Sequence, residues 1–583
     1  MVRIWLTEGR VFGARRRQGD NMTAVHPRTR RGTGHEAVPR KAGLLPRIAG
    51  LVWSGLILWL LCSNLVLPSY GFSRYETWAA VLCGVGVLGL TVAFPWLLAR
   101  IDAGTAGHRW LRALLSVLGW SVLFACQARV ADAVRLPPDW DAAAVYFSAQ
   151  ALADQSPGNV DSSYFQINPN NVLLMLLLSR FLETAQAMGS TDLRQSVAYL
   201  NAAILFCGML LTYAAAALVG GRQTARLTLI PSFILVLLSP WLPVFYSDTA
   251  GLLFPILIFF LLAAAARCSW PMRIILWAAA GAAGAVGYGI KPTVLICLVA
   301  AGLVGICSLR RRLWRRDAAL TLLGVAVTVF SFAGTHAAIA AWENSGVFNG
   351  APVSAEFAIP PTHFLKVGAQ QYPGPYGDYF GAYNEPDRLS TLAIRDPQER
   401  FDAGLEAYRD RVDAMGPAGY AGFLNAKLRW ITGDGSFFSW GEGRMTANEF
   451  IAEDGLSRTI QDFYGPGRPG FGFILDLWQG TWFLLLALCG GALFLRDPRS
   501  AALGPVMARV SLLGLLLFLM FSEGRARFLY LYVPYFILLG AVSLRCLPGL
   551  TSRWRNAGRR PRPVEDGAKV VEWTGVEPKS APR

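Results

Sequence analysis

Apolar residues in this chain are grouped into long runs that short polar stretches separate. Runs of about 18 to 25 apolar residues are long enough to cross the hydrocarbon core of a bilayer, about 30 Å thick, as helices. The runs predict twelve membrane-spanning helices at 47–67, 76–98, 109–130, 196–219, 226–244, 249–266, 272–288, 290–308, 317–341, 471–495, 503–521 and 526–546. The fold class that this pattern predicts is an all-α polytopic membrane protein.

Composition and charge support a membrane protein and argue against a nucleic-acid partner. Of the 583 residues, 54% are hydrophobic and 16% are charged, whereas soluble domains carry about 25% charged residues. The net charge is +16, and residues 1–47 alone hold ten Arg and one Lys against three acidic residues. Basic residues beside membrane spans mark the cytoplasmic side and bind anionic lipids. We therefore expect membrane lipids as partners and no nucleic acid, because the chain has no zinc-finger or RNA-recognition pattern.

One shorter apolar stretch, 172–182, is not predicted to cross the membrane. It follows the polar, helix-breaking run Asn168-Pro169-Asn170-Asn171. If it crossed, the arginines between 310 and 316 would lie outside the cell, against the positive-inside rule. We therefore predict a helix that lies in the membrane interface. The chain is then a multi-pass protein of the cell membrane with both termini in the cytoplasm.

The spans divide the chain into five regions. We predict a flexible basic cytoplasmic tail, a transmembrane core with an outer loop that contains interfacial helices, an extracytoplasmic domain of mixed structure, C-terminal transmembrane helices and a second basic cytoplasmic tail. Their bounds are 1–46, 47–341 with the loop at 131–195, 342–470, 471–546 and 547–583. The true start is open, because Met22 could replace Met1.

The region 342–470, called the large insertion below, contains one clear helix signal. The run Asp396-Pro397-Gln398-Glu399 is typical of a helix start, with Asp as the N-cap and Pro at the first helical position. Gly416-Pro417 predicts the end of that helix, because Gly favours the C-terminal cap and Pro cannot continue the hydrogen-bond ladder. The insertion also holds Asp434 within a run rich in aromatic residues, a mixture that suits sugars or an interfacial aromatic belt.

Three acidic residues at the outer ends of helices could carry chemistry. Asp139 and Asp141 begin the first outer loop, and Asp248 begins the helix after the fifth span. Asp is a good N-cap, so the structural interpretation is that Asp141 caps a helix that begins at Ala142 and that Asp248 caps the helix after the fifth span. A carboxylate near apolar surface and near a second acid is also a candidate general base. The residues alone leave both interpretations open.

Three cations on the outer side run against the positive-inside trend. Lys291 lies between two apolar helices, and Arg525 and Arg527 lie between the last two spans. A lysine near a helix end can extend its ammonium group to the headgroups, which is the structural interpretation. Arg forms bidentate bonds with phosphate, and Gly524 would leave room for close approach. Together the three cations predict a phosphate site at the outer leaflet.

These motifs, in this order, resemble a known superfamily. They are Asp141-Ala142-Ala143-Ala144-Val145-Tyr146, Tyr164-Phe165-Gln166-Ile167-Asn168-Pro169-Asn170-Asn171, Tyr246-Ser247-Asp248-Thr249, Gly289-Ile290-Lys291-Pro292-Thr293 and Glu523-Gly524-Arg525-Ala526-Arg527-Phe528-Leu529-Tyr530. The chain resembles the integral-membrane glycosyltransferases of the C superfamily, near the bacterial branch related to protein O-mannosyltransferases and lipid-A aminoarabinose transferases. The resemblance covers about residues 109–310 and 420–546.

The resemblance implies transfer of a sugar from a polyprenyl-phosphate donor to a hydroxyl on a cell-envelope glycan, lipid or protein at the outer face, in one inverting displacement. Asp141 would be the catalytic base, with Asp139 as the alternative, and Lys291, Arg525 and Arg527 would bind the donor phosphate. The same resemblance places three residues near donor or acceptor, which are Asp248, Asn170 and Asn171. The aromatic-rich run around Asp434 leaves Asp434 as a fourth candidate. Asp139 and Asp141 could also hold Mg²⁺ or Mn²⁺, although the sequence offers no evident third ligand.

Two other functions fit part of the pattern. A polymerase or ligase of lipid-linked glycans also has about twelve spans and a large outer loop, but usually lacks the acid in the first loop. A secondary transporter is the less favoured alternative, because the chain shows neither an inverted repeat nor a pair of helices broken at the membrane midplane. Dependence of the activity on Asp141 would separate the first alternative from a glycosyltransferase.

Overall fold

The structure is a computed structural model of the full chain, and it describes residues 44–71, 74–105, 107–309, 315–345, 355–437, 449–491 and 502–547. The two predicted tails fall almost entirely outside the described residues. Within the described residues the chain is helical apart from one β-hairpin. All-helical folding is what long apolar runs require, because a helix satisfies its backbone hydrogen bonds within one segment.

The described helices form one series along the chain. They are α1 (Leu44–Val66), α2 (Thr77–Gly104), α3 (Arg109–Ala133), α4 (Trp140–Ala153), α5 (Ser162–Ile167), α6 (Val172–Ala187), α7 (Leu193–Gly220), α8 (Arg222–Leu227), α9 (Leu229–Ser232), α10 (Ser247–Ala265), α11 (Trp270–Ile290), α12 (Leu295–Leu309), α13 (Arg315–Glu343), α14 (Pro361–Gly368), α15 (Glu385–Leu392), α16 (Pro397–Thr432), α17 (Gly455–Tyr464), α18 (Phe471–Gly490), α19 (Leu503–Phe521), α20 (Arg527–Tyr530) and α21 (Val533–Cys546).

Shorter elements join these helices. Single 3₁₀ turns occur at Pro157–Asn159, Pro169–Asn171, Pro292–Val294 and Ala355–Phe357, and a π-helical turn occurs at Phe233–Leu237. The hairpin pairs β1 (Gln371–Gly374) with β2 (Gly377–Phe380) in antiparallel register, with Gln371 opposite Phe380. The hairpin lies within the large insertion, between α14 and α15.

Nine of the described helices are long and apolar enough to cross a membrane, compared with the twelve spans that the sequence predicts. They are α1, α2, α3, α7, α10, α11, α13, α18 and α19. Two further apolar helices are short, with 15 residues in α12 and 14 in α21. The remaining predicted span, 226–244, is not one continuous helix.

The predicted span 226–244 is broken because its backbone changes conformation twice. It passes through α8, α9 and the π turn, and its helical part ends by Leu238. Pro231 lies in α9 and supplies no backbone N–H to a helical ladder. Beyond the helix, the amide of Asn201 donates to the backbone oxygens of Trp241, Leu242 and Val244 at 3.1, 3.0 and 3.3 Å. These bonds satisfy carbonyls that a continuous helix would have paired internally.

The stretch predicted as an interfacial helix, 172–182, is the first part of α6. This helix follows the 3₁₀ turn Pro169–Asn171, packs against α4 and buries most of its apolar side chains. The polar run before it therefore forms a turn between α5 and α6, as the helix-breaking residues predict.

The predicted helix in the large insertion is confirmed at both ends. The Asp396 side chain accepts the backbone N–H of Glu399 at 2.7 Å, so Asp396 is the N-cap of α16. At the other end Gly416 has φ 64° and ψ 172°, a conformation that L side chains rarely adopt. The first part of α16 therefore ends at Met415, and a second part begins at Pro417 and runs to Thr432.

The ends of the long helices lie at two opposite faces of the molecule. At one face Asp102, at the end of α2, pairs with Arg222 at 2.9 Å and also with Arg226. The opposite face carries the ends of α3, α11 and α19 and the start of α10, which are the positions of the predicted site residues. This arrangement follows from the alternation of helix direction along the chain.

The large insertion contains a buried polar cluster around His363. The Lys366 ammonium donates to the Thr391 hydroxyl at 2.9 Å, and Arg411 donates to both oxygens of Asp387 at 2.7 and 2.9 Å. The Thr391 hydroxyl donates to the Asp387 backbone oxygen at 2.8 Å, so it must accept from His363 Nδ1 at 2.9 Å. Burial, together with the Lys366 cation, lowers the pKa of His363 to about 4. The imidazole is therefore neutral at pH 7, with its proton on Nδ1.

Acidification is expected to destabilise the folded protein through His363. The pKa of His363 is about 4 in the folded chain, compared with 6.5 for an imidazole without these interactions. Between pH 4 and pH 6.5 the unfolded chain therefore binds a proton that the folded chain does not bind. Stability is therefore full above pH 6.5 and decreases, by up to about 3 kcal/mol, as the pH falls to 4. Thermal unfolding of His363→Asn should show a correspondingly weaker pH dependence than wild type. His108→Asn, at an exposed position, should keep the wild-type dependence; equal dependence in wild type and His363→Asn would contradict the assignment.

Candidate functional site

Asp139 and Asp141 have different positions in the structure, although only Trp140 separates them in sequence. Helix α4 begins at Trp140, and Asp139 is its N-cap, with its side chain accepting the Trp140 backbone N–H at 3.0 Å. The expectation that the helix begins at Ala142 is therefore wrong by two residues. Trp140 has φ 46°, a left-handed conformation that costs a non-glycine residue about 1–2 kcal/mol. Backbone strain of this kind is often found beside functional side chains.

Two tyrosine hydroxyls hold the carboxylate of Asp141. Tyr164 donates to Oδ1 at 2.8 Å, and Tyr246 donates to Oδ2 at 3.3 Å. The amide of Asn171 donates to the same two hydroxyl oxygens, at 2.6 Å to Tyr164 and 3.2 Å to Tyr246. Asn170 in turn donates to the Asn171 side-chain oxygen at 3.3 Å. Because the amide occupies the Tyr164 hydroxyl oxygen, the Tyr164 proton is directed at the carboxylate. The Tyr246 hydroxyl faces two acceptors, Asp141 Oδ2 at 3.3 Å and the Asn171 side-chain oxygen at 3.4 Å.

Local structure explains how each tyrosine reaches Asp141. Tyr164 lies in α5, whose N-cap Asp161 accepts the Tyr164 backbone N–H at 3.0 Å. Tyr246 directly precedes α10, and its backbone N–H donates to the Thr249 hydroxyl at 3.1 Å. Caps of this kind fix the entry direction of the chain into a helix. The two segments are thereby placed on either side of the Asp141 carboxylate.

Asp248 and Lys291 form a buried ion pair. The Lys291 ammonium donates to Asp248 Oδ1 at 2.8 Å and to the Ser247 hydroxyl at 3.2 Å. Asp248 is fully buried, and Lys291 is 8% exposed. A buried pair of this kind loses hydration at both partners, and removing one partner leaves an uncompensated charge. Asp248 is therefore a partner of the predicted phosphate-binding lysine and does not contact Asp141.

Lys291 and Arg527 share two aromatic rings. The Lys291 ammonium lies 5.8 Å from the Tyr246 ring centre and 4.9 Å from that of Phe528. The Arg527 guanidinium lies 5.8 and 5.5 Å from the same two rings. Contacts of cations with aromatic faces are favourable and partly replace lost hydration. Tyr246 therefore connects the acid and the cations, with its hydroxyl at Asp141 and its ring beside Lys291 and Arg527.

Arg525 faces the large insertion. Its guanidinium lies 3.4 Å from the Glu523 carboxylate and 5.4 Å from the ring centre of Tyr383. The prediction that Gly524 leaves room for a phosphate is wrong. A Cβ at this position would lie 2.6 Å from Ile431 Cδ1. The space at Gly524 admits the side chain of a neighbouring helix, α16, and not a phosphate.

Asp434 lies in the turn that follows α16. Its carboxylate accepts the backbone N–H of Ser436 at 2.8 Å and the Ser436 hydroxyl at 2.5 Å, which closes a turn after α16. The preceding residue, Gly433, accepts from the Tyr75 hydroxyl at 3.4 Å. Tyr75 also lines a groove of about 680 Å³ beside the start of α2, and no predicted site residue lines this groove. Asp434 is therefore a turn residue in the structure.

The residues do not fit a divalent cation held by the protein. Among the described residues no group of three or more His, Cys, Asp or Glu side chains could hold a metal ion. Asp139 accepts a backbone N–H, and both oxygens of Asp141 accept hydroxyls. Sites for Mg²⁺ and related ions need several oxygen ligands around one point.

Sequence reasoning missed the side chains that connect the site. Tyr164 and Tyr246 lie inside motifs of the sequence but carry no charge, and their hydroxyls are 23 and 105 positions from Asp141 along the chain. Phe528 follows the predicted Arg527 directly and could have been found as an aromatic neighbour of a cation. No sequence signal identifies Lys427 as a residue that acts on the site.

Comparison with known proteins gives the family. The sequence model of a family described as conserved hypothetical integral membrane protein matches residues 48–546, which is most of the chain. No curated protein matches the chain. No solved structure matches it.

Proposed function

We propose an enzymatic function for this chain, which belongs to the conserved hypothetical integral membrane protein family. The protein is a membrane glycosyltransferase that moves a sugar from a polyprenyl-phosphate donor to the hydroxyl of a cell-envelope glycan, lipid or protein. The proposal joins the resemblance of the sequence to the C superfamily of glycosyltransferases with the arrangement of the site.

The observation that carries the proposal is the position of Tyr246. Its hydroxyl contacts the Asp141 carboxylate, and its ring lies beside Lys291 and Arg527. One side chain thus separates a carboxylate from two cations, and these residues come from four distant stretches of the chain. A carboxylate at the Tyr246 hydroxyl and two cations beside the Tyr246 ring suit a reaction that removes a proton at one point and releases a phosphate at another.

Asp141 acts as the general base in the proposed reaction. Its carboxylate takes the proton of the acceptor hydroxyl while the hydroxyl oxygen forms a bond to the anomeric carbon of the sugar. The Tyr164 and Tyr246 hydroxyls hold the carboxylate in one orientation. Attack on one face and departure from the other make the reaction a single inverting displacement.

Lys291 and Arg527 act on the leaving group. As the bond between the anomeric carbon and the phosphate oxygen breaks, its electron pair passes to the polyprenyl phosphate, whose charge increases. Cations fixed in a water-poor site stabilise developing charge more strongly than cations in water. Lys291 and Arg527 are 8% exposed each, and Arg525 is the third proposed contact of the phosphate. The isoprenoid tail lies between helices in the bilayer.

A transfer assay tests this proposal. Purified protein in proteoliposomes is incubated with a panel of radiolabelled polyprenyl-phosphate sugars and a native envelope extract. We expect label to move from at least one donor to an extractable acceptor. If no donor supports transfer while a control glycosyltransferase is active in the same extract, the proposal is wrong.

Removal of the Tyr246 hydroxyl should slow transfer without displacing the cations. Tyr246→Phe loses the bond to Asp141 and keeps the ring that faces Lys291 and Arg527. Since a hydrogen bond to a charged group contributes about 1.5 kcal/mol, we expect kcat to fall about tenfold and the KM for the donor to change little. Steady-state kinetics at varied donor concentration measures both. A raised donor KM with unchanged kcat would contradict the assignment of the hydroxyl to Asp141.

The proposed topology has twelve crossings, with α12, α21 and the segment 222–238 as the short ones, and with both termini in the cytoplasm of a multi-pass protein of the cell membrane. In this topology the face that carries Asp141, Lys291 and Arg527 is the outer face. A C-terminal fusion of green fluorescent protein should fluoresce, and the matching alkaline phosphatase fusion should be inactive. Phosphatase activity of that fusion would place the C-terminus outside and overturn the topology.

A further inference from the structure

Lys427 is a fully buried lysine in the second part of α16, with 0% of its surface exposed. Lysine is among the residues least often fully buried. Its ammonium donates to three backbone oxygens, those of Gly368 at 2.7 Å, Ser522 at 2.6 Å and Met520 at 3.1 Å. An ammonium has three N–H donors, so all of them are satisfied. This set of acceptors explains how the charge can be buried.

The acceptors of Lys427 belong to two different parts of the molecule. Gly368 ends α14 in the large insertion, whereas Met520 and Ser522 lie at the C-terminal end of α19. The last carbonyls of a helix have no partner within the helix, and a cation is favourable there. Burial lowers the pKa of Lys427 to about 7, and the Glu523 carboxylate acts in the opposite direction. The three accepting carbonyls also favour the protonated amine.

The loop after α19, residues 522–527, is called the cation loop because it carries Arg525 and Arg527. A second bond joins it to the large insertion, since the Gly524 backbone N–H donates to the Gly381 oxygen at 2.8 Å. Ile431 of α16 packs directly over Gly524. The backbone of the cation loop is thus bonded to the insertion at Ser522 and at Gly524, immediately before its two arginines.

We infer that Lys427 is a positioning residue, through which the large insertion fixes the cation loop so that Arg527 lies beside Lys291. Lys427 contacts none of the rings that surround Lys291 and Arg527, and it acts through the backbone of the loop. The consequence for donor phosphate rests on the proposed function, whereas the positioning of the loop does not.

Lys366 provides a matched control. It is also a buried lysine of the insertion, with 7% exposure, and it donates to the Asp387 backbone oxygen and the Ser390 and Thr391 hydroxyls. All three of these acceptors lie within the insertion. A substitution at Lys366 therefore weakens the insertion without removing a bond to the cation loop.

Hydrogen exchange of the full-length protein in lipid nanodiscs tests the positioning. In Lys427→Met we expect the amide of Gly524 to exchange at least about tenfold faster than in wild type, because three charge-assisted bonds are lost. In Lys366→Met the exchange at Gly524 should stay within about twofold of wild type, while α14 and α15 exchange faster. Unchanged exchange in Lys427→Met, or equal acceleration by both substitutions, would overturn the inference. If Lys427→Met does not fold, Lys427→Gln, which keeps two N–H donors, is measured in its place.

Binding of radiolabelled polyprenyl phosphate to the same nanodiscs tests the consequence for the donor. We expect the Kd of Lys427→Met to rise about tenfold and that of Lys366→Met to match wild type. An unchanged Kd in Lys427→Met, with faster exchange at Gly524, would overturn the link between the loop and the phosphate. If wild type fails to bind polyprenyl phosphate, the proposed function fails, and the exchange measurement still decides whether Lys427 positions the loop.

Discussion

Asp141→Asn is expected to lower transfer by about 100-fold to 10,000-fold while the protein stays folded. Asn has the shape of Asp and can still accept a tyrosine hydroxyl, but it cannot take a proton from an acceptor. General base catalysis contributes about that range of rate. The measurement is the initial rate of sugar transfer in proteoliposomes, with thermal unfolding of both proteins as the test of folding.

Asp139→Asn is the control for this prediction. Asp139 caps α4 by accepting the Trp140 N–H, and Asn is about as good an N-cap as Asp. We therefore expect wild-type transfer and a change in stability of less than about 0.5 kcal/mol. Transfer that survives in Asp141→Asn and disappears in Asp139→Asn would exchange the roles of the two acids.

Lys291→Met is expected to lose both stability and transfer, and a second substitution separates the two effects. Without the ammonium, the fully buried Asp248 side chain is left without its ionic partner, which costs about 3–5 kcal/mol. In the double variant Lys291→Met with Asp248→Asn, neither residue is charged. Stability should then return to within about 1–2 kcal/mol of wild type.

Transfer should remain low in the double variant, because the cation that the proposal assigns to the phosphate is still absent. Thermal unfolding and transfer rates at saturating donor are measured for the wild type, both single variants and the double variant. If transfer returns together with stability, Lys291 serves only to neutralise Asp248. Its place in the phosphate site would then have to be given up.

Much of the fold follows from the sequence because helix signals are local. The apolar runs predict the long helices, and the Asp396 cap and the break at Gly416 are confirmed. The predicted span 226–244 shows the limit of such reasoning. Its length and apolarity suit a helix, but the amide of Asn201 can pair with its carbonyls from another helix, so an irregular backbone is satisfied.

The candidate site could be predicted as a set of residues but not as a set of contacts. Asp141, Asn171, Lys291 and Arg527 lie around Tyr246. The pairing of Lys291 with Asp248 depends on how two helix ends meet, and sequence spacing does not determine that. Arg525 and Arg527 are two positions apart, and side chains at this spacing point in different directions on a helix or turn. This explains why only Arg527 lies beside the rings of Tyr246 and Phe528.

The central claim is that the protein transfers a sugar and releases polyprenyl phosphate. A donor labelled with ³²P in its phosphate and ¹⁴C in its sugar tests it directly, in proteoliposomes that contain the acceptor extract. We predict that polyprenyl phosphate and glycosylated acceptor appear in equal amounts and that Asp141→Asn forms both at least about 100-fold more slowly. Sugar that stays on the lipid and lengthens would indicate a polymerase, and unmodified donor that changes sides of the membrane would indicate a transporter. Either result would contradict the glycosyltransferase.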